Sequence, residues 1–264
     1  MTTIRQSAVA DYFYPGEAKV LSNTVTALLS EAEAGPAPKA IVAPHAGYIY
    51  SGSIAASAYV RVKPLAAQIT RVVLLGPTHR VPVRGLAAPG VDAFLTPLGT
   101  VPVDGAALHS IDDLPQVVVN AAAHAMEHSL EVHLPFLQTV LGEFKLVPLC
   151  VGEASGEEVA EVLERLWGGA ETLIVVSSDL SHYLSYEAAM RLDGATAQAI
   201  LGFDPHVRHE QACGATPLNG LLVVARRKQL TAELLDLRNS GDTAGDRLRV
   251  VGYGAFAFFE PPHA

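Results

Sequence analysis

The sequence predicts an α/β fold: a single-domain three-layer α/β/α sandwich over residues 1–264, with helices on both faces of a largely parallel or mixed central sheet. Three observations predict it. Short, uninterrupted apolar runs at 40–43, 72–75 and 173–176 have the length of strands buried on both faces. Segments with helical spacing alternate with them, which is the order that covers a parallel sheet. No internal repeat, low-complexity tract or polar linker divides the chain.

The first helix is expected over 17–32, followed by a small loop of Gly, Pro and Ala at 35–38 and a strand at 39–43. Pro44 and Gly47 break that strand and hold His45 on a turn, because proline lacks a ladder donor and glycine frees the backbone. Small residues over 52–62 suit a helix packed tightly on a sheet. The strand 71–75 stops at Gly76-Pro77 and again presents a histidine, His79, on the loop that follows. Residues 81–102 are rich in Pro, Gly and Val and read as short antiparallel strands or an excursion. Asp104 caps a short helix over 105–111. Over 127–141, Leu130, Leu134, Leu137 and Leu141 recur at helical spacing, which Pro135 permits only with a kink or a helix start there. The strand 145–151, helix 156–167 and strand 172–177 make a βαβ unit. A helix over 186–201 follows the loop carrying Asp179 and His182. Pro217 takes a favoured first-turn position in a helix over 216–227. A strand over 249–260 alternates around Gly252 and Gly254.

Half of the 264 residues are apolar and 17% are charged, which allows a large core and excludes a disordered chain. The net charge of −9 argues against a general nucleic-acid surface. The short run Arg226-Arg227-Lys228 is expected at the solvated end of a helix, where the dipole favours cations. Two cysteines make no disulfide framework. Cys150 ends an apolar strand and reads as core, whereas Cys213 precedes a glycine at a helix start. Residues 1–16 show no secretory pattern, and no apolar run reaches the roughly 18–20 residues of a spanning helix. A soluble, cytoplasmic protein with no membrane or nucleic-acid partner is therefore expected.

Ligands bind where the carboxyl ends of parallel strands gather at one edge of a sheet. The loops after three apolar runs carry His45, His79 and the pair Asp179 and His182; with Cys213, four stretches hold a side chain that can bind or serve a metal. Neutral imidazole is the commonest metal ligand and the acid/base group most easily tuned to neutral pH. His45 and His79 are either ligands or hydrogen-bonded loop histidines, and their equivalent positions after separate strands favour ligands. Asp179 either caps the next helical turn or orients His182 for acid/base work. Cys213 is either a buried hydrophobe or a thiolate ligand. The densest ionisable cluster is EHSLEVH at 127–133, where a helix would put Glu127 and Glu131 on one face, and His128 with Glu131. Its order is not the HExxH of zinc proteases. His128, Glu131 and His133 are assigned to a pocket wall or substrate contact, against the alternative of a solvated face. Residues 47–53 lack the lysine of a phosphate loop and the spacing of a dinucleotide fingerprint, and no G-x-S-x-G elbow occurs. His109, His124, His206, His209 and His263 have no partner that the sequence names.

Seven segments in order, APHAGYIYSG (43–52), LLGPTHRVP (74–82), EHSLEVHLPF (127–136), VPLCVG (147–152), VVSSDLSHY (175–183), CGATP (213–217) and YGAFAF (253–258), resemble the Memo family. The resemblance runs over residues 40–260. Microbial members are often called protein B of the AmmeMemoRadiSam system, which implies a radical-SAM protein and an AMMECR-type protein as partners. The family is similar in turn to the LigB-like class III extradiol dioxygenases, which hold non-heme Fe(II) with two histidines and a carboxylate. The resemblance thus implies a LigB-like fold, His45 and His79 as metal ligands, Cys213 where those enzymes have the carboxylate, and His182 as the acid/base group with Asp179 close to it. A thiolate in that place softens the site, so copper and zinc compete with iron (Fe2+), and it puts an oxidisable sulfur beside the metal. Catechol cleavage does not follow from the fold alone.

The expected function is an iron-dependent redox protein, with copper or zinc as alternative metals, that acts on an unnamed small molecule or peptide. The alternative is a non-catalytic adaptor that takes a peptide or protein in the same cleft, a role that the resemblance also implies. A zinc hydrolase would need a poised general-base carboxylate, which the sequence does not supply.

Overall fold

The apolar runs ending at Ala43, Pro77, Val151 and Ser177 are buried along nearly their whole length, so they belong at the centre of a sheet covered on both sides. The computed structural model describes residues 2–261; His263 lies outside them. In chain order the elements are β1 (Ile4–Arg5), α1 (Ala18–Glu31), β2 (Ala40–Ala43), α2 (Tyr48–Val62), β3 (Arg71–Pro77), β4 (Leu86–Ala88), β5 (Ala93–Thr96), β6 (Gly99–Pro102), α3 (Gly105–His109), β7 (Val117–Val119), α4 (Ala121–Ala125), α5 (Leu134–Leu141), β8 (Lys145–Val151), α6 (Gly156–Leu166), β9 (Thr172–Ser177), β10 (His182–Leu184), α7 (Tyr186–Leu201), α8 (Ala215–Arg227), β11 (Thr231–Asn239) and β12 (Val250–Phe259).

The main sheet has the order β10-β12-β2-β9-β3-β8-β4-β7, with β11 paired to β12. Its middle strands β2, β9, β3 and β8 are parallel, and β12 and β4 flank them antiparallel. β1, β5 and β6 form a separate small sheet. Alternate residues of β3 feed opposite cores, as the pleat requires. Val72 and Leu74 pack with Leu21 of α1, Ile54 of α2 and Leu137 of α5. Val73 and Leu75 pack with Leu163 of α6 and Leu222 of α8. This is the predicted α/β/α sandwich around a mixed sheet.

Several boundaries differ from the sequence reading, each for a packing reason. α2 starts at Tyr48 and not at 52, because the Tyr48 ring is buried against Tyr14 and Phe136, with centroids 5.7 and 5.0 Å away. Tertiary contact outweighs the poor helix propensity of an aromatic first turn. The helix expected over 127–141 is only α5. Pro135 opens it at a position where no amide donor is missed, and Glu131–His133 form a single 3-10 turn before it. Glu127 and Glu131 therefore do not share a helical face. β11 escapes the sequence reading because a bulge between Leu234 and Asp236 breaks its alternation. Within 81–102, β4 joins the main sheet while β5 and β6 pair as a hairpin beside it.

Other sequence features find simple places. Ser155 and Glu158 form a capping box on α6. Gly220 lets α8 lie against α6, since a Cβ there would stand 2.3 Å from Val159 Cγ1. Arg226 and Arg227 close α8, and Arg227 pairs with Glu157 and Glu164. Cys150 is fully buried 3.5 Å from His124 Nδ1, and burial pushes its thiol up. Among the described residues no helix is long and apolar enough to cross a membrane.

Burial pulls His124 down to about 4 and His133 down to about 3 from the ordinary 6.5. Both stay neutral in the folded protein at neutral pH, whereas the unfolded chain takes up these protons below pH 6.5. Their contribution to stability is therefore complete above the unfolded value and is lost as pH falls towards the folded ones, at about 1.4 kcal/mol per unit for each group. Urea unfolding followed from about pH 7 to about pH 4.5 should show a steadily falling midpoint. His124→Gln, which keeps a donor for the Ala87 carbonyl, should flatten that fall.

Candidate metal centre

Three neighbouring parallel strands end together. Ala43 of β2 pairs with Ser177 of β9, and Leu75 of β3 pairs with Val176. The loops just beyond these ends carry His45, Asp179 and His79, which sheet topology thus delivers to one edge. A fourth group, His128, arrives on the turn between α4 and α5. Gly76 allows that turn to lie against β3, because a Cβ there would meet Leu130 Cδ2 at 2.8 Å and Ser129 Oγ at 2.9 Å. One ring nitrogen from each of His45, His79 and His128 lies within 4.8 Å of the others. The ring centroids are 5.2, 5.3 and 4.6 Å apart. Small side-chain rotations would close this triangle onto one ion at ligand distances of about 2.0–2.1 Å.

The Nδ1 side of each ring faces an oxygen. Ser177 Oγ donates its single proton to the Ser129 carbonyl at 2.6 Å, so it accepts from His45 Nδ1 at 2.6 Å. Glu127 Oε1 accepts from His79 Nδ1 at 2.8 Å and stands 3.2 Å from His128 Nδ1. The same carboxylate accepts the backbone N–H groups of His79 at 2.6 Å and of His128 and Ser129 at 2.9 Å each. Burial would raise the Glu127 carboxyl, but its bonds from His128 and His79 outweigh that and hold it well below the usual carboxylate range. An ionised carboxylate has no proton to give, so both imidazoles donate Nδ1–H. Glu127 thus fixes the ring orientation of His79 and His128, and Ser177 that of His45, the outer-shell bonding that orients metal-ligating imidazoles. Burial first, and then the neighbouring histidines, push His45 well below its ordinary value and keep it neutral.

Cys213 is pinned beside His45. Its backbone N–H donates to the Asp179 carbonyl at 3.2 Å, and its Sγ lies 3.3 Å from His45 Nε2. Gly214 makes this possible, since a Cβ there would stand 2.4 Å from the Ser177 carbonyl oxygen. Burial, and next the Asp179 charge, push the Cys213 thiol up. Asp179 Oδ1 accepts the His45 backbone N–H at 2.7 Å, and Oδ2 is 3.9 Å from His45 Nε2. Burial raises its carboxyl. His182 Nδ1 donates to the Leu180 carbonyl at 2.9 Å. His79, His182 and Cys213 line one cleft of about 1160 Å³, shared with Arg84, Glu153 and His209.

The structure brings His45, His79, Cys213, Asp179 and His182 to one end of the sheet, but it corrects several expected roles. Asp179 does not orient His182; the Leu180 carbonyl does, and the carboxylate holds the His45 loop. His128 stands in the imidazole triangle and not in a pocket wall. Glu131 turns away from the cleft, its carboxylate fully buried against Arg5 at 2.6 Å and Tyr14 Oη at 2.5 Å. His133 is a core residue whose Nδ1 meets Tyr59 Oη at 2.8 Å. The residues that the sequence reading missed are Glu127 and Ser177. Glu127 and Glu131 are indistinguishable by spacing once a helix is assumed, and only the turn separates them. Ser177 gave no signal beyond ending a strand.

Comparisons with known proteins agree with this architecture. A family model described as Memo-like protein matches residues 5–257. A MEMO1 family protein of Archaeoglobus fulgidus is 34% identical, the match covering 97% of this chain and 99% of the relative. A MEMO1 family protein of Aquifex aeolicus is 36% identical with the same coverage. The crystal structure of an uncharacterized protein, JW3007, from Escherichia coli K12 superposes with a TM-score of 0.51 at 13% identity over 81% of this chain and 98% of that one, a likeness of fold alone.

The Glu127 carboxylate can be tested directly. Glu127→Gln keeps the volume but removes the charge that holds two imidazoles, and affinity for a divalent metal should fall by about 10–100-fold. Competition against a chromogenic chelator measures it, and unchanged affinity would show that the carboxylate does not set the ligands.

Proposed function

The chain belongs to the Memo-like family, and we propose that it is a metal-dependent redox protein that binds iron(II) at the strand-end cluster, with copper or zinc as the alternatives its donor set admits. The carrying observation is the triangle of three imidazoles within 4.8 Å, each with its Nδ1 held by oxygen. Cys213 stands beside it as a soft fourth donor, and imidazole with thiol suits late first-row metals better than magnesium or calcium. In this reading His45, His79 and His128 hold the ion, and Cys213 joins them as thiolate once metal displaces its proton.

A bound redox metal would supply electron exchange with a small substrate or with dioxygen. The protein's own part is positioning and proton movement. Glu127, Ser177 and Asp179 orient the ligand loops, so little reorganisation is needed when the ion enters. His182 has its Nδ1–H committed to the Leu180 carbonyl, so its Nε2 is free to accept a proton from a molecule lying in the cleft. Dioxygenase-like chemistry on an unnamed substrate is the reaction class that fits these roles. A second reading, a peptide-binding adaptor, is favoured by the size of the cleft and by the exposed Tyr183 on its lining.

Metal analysis of protein purified with and without air, together with its absorbance spectrum, tests the first reading. Wild type should carry near-stoichiometric iron or copper, and His79→Ala and Cys213→Ala should lose most of it. His182→Ala should retain the metal yet lose metal-dependent oxygen uptake. Ligand variants that hold metal as well as wild type would sink the redox reading. Peptide binding that survives in metal-free protein would favour the adaptor.

A further inference from the structure

The segment before α1 makes more contacts with the metal-bearing loops than any role in the small sheet requires. Arg5 is 6% exposed although it lies on a two-residue strand. Its Nε donates to the His124 carbonyl at 2.7 Å, one Nη to the Glu127 carbonyl at 2.7 Å, and the other to Glu131 Oε2 at 2.6 Å. The planar guanidinium thus holds the 124–131 turn at three points, Glu127 itself supplying one of them and His128 following it directly. Glu131 completes the attachment by accepting the backbone N–H groups of Ala8 at 2.8 Å and Val9 at 3.1 Å. Further along, the Phe13 ring lies 4.7 Å from the His128 ring. The Phe13 carbonyl accepts the N–H of Tyr48 at 2.7 Å, at the end of the loop that carries His45.

We propose that residues 4–14 are a strap that positions the metal ligands, with Arg5 and Phe13 as its two holding points. The inference rests on the metal-binding reading given above. Arg5 reaches His79 through Glu127, Phe13 touches His128 directly, and the Phe13 carbonyl fixes the His45 loop. Stability alone does not account for the arrangement. Removing a carboxylate and a guanidinium from water costs about as much as their attraction returns, and apolar residues of similar volume often serve equally well. What the pair adds is a turn with one conformation, in which the donors face one point.

Arg5→Lys tests this, because lysine keeps the charge opposite Glu131 but cannot bond two carbonyls and a carboxylate in one plane. Phe13→Leu is the independent test, since it keeps apolar bulk and removes the ring from His128. The full chain, stripped of metal, would be titrated with Co2+ against a chelator while its visible spectrum reports the coordination. Both variants should bind Co2+ about 10–100-fold more weakly and with an altered spectrum. Amide exchange in metal-free protein should quicken over 124–131 but not in β3 or β8. Variants that fold and bind Co2+ with wild-type affinity and spectrum overturn the strap. If Arg5→Lys does not fold, Phe13→Leu decides by the same readouts. Wild-type protein that takes up no Co2+ overturns the metal reading itself, a result distinct from wild-type-like variants.

Discussion

The carboxylate of Glu127 is the constraint on which the rest of the site depends. It is 2% exposed and ionised, a state that is costly unless every lone pair is met. Three backbone N–H groups and two imidazole N–H groups converge on it. Satisfying that charge brings the end of β3 against the 127–129 turn and gives His79 and His128 their orientation in the same act. The position of the carboxylate therefore determines which ring nitrogens remain free. Ser177 does the corresponding work for His45 with a neutral oxygen, which suffices for one ring.

Sheet topology supplies the convergence that Glu127 then refines. The order β2-β9-β3 places three strand ends side by side, and each is followed at once by a turn instead of a long loop. Short turns on buried strands vary little in position, since the strands are packed on both faces. Gly76 and Gly214 bring two further segments into van der Waals range of those ends, where any side chain would collide with backbone or core. The cleft is consequently walled by rigid elements, and its chemistry sits at the rim of the most buried part of the molecule.

Two of the donors gathered there, His45 and Cys213, are neutral in the absence of an ion. Burial keeps His45 unprotonated and keeps the Cys213 thiol protonated. This pair offers lone pairs without accumulating charge in the protein interior, and a cation that arrives would be compensated by the Glu127 carboxylate and by loss of the thiol proton. Imidazole nitrogen and thiol sulfur together are donor types that late first-row metals prefer over magnesium or calcium.

What the sequence determined by itself follows from local rules. Apolar runs bounded by Gly and Pro gave the central strands, their alternation with helices gave the α/β/α class, and the turns after those strands named His45, His79, Asp179 and His182 as residues at one edge. Cys213 was legible because it precedes a glycine at a helix start. The tertiary structure alone decided between Glu127 and Glu131, moved His128 into the imidazole triangle, and gave Asp179 to His45 in place of His182. These choices depend on contacts across the chain, such as Arg5 with Glu131 and Ser177 with His45, whose partners are more than a hundred residues apart. Spacing along a helix carried no information about them because residues 127–130 are not helical: a buried charge there is oriented by the donors that surround it.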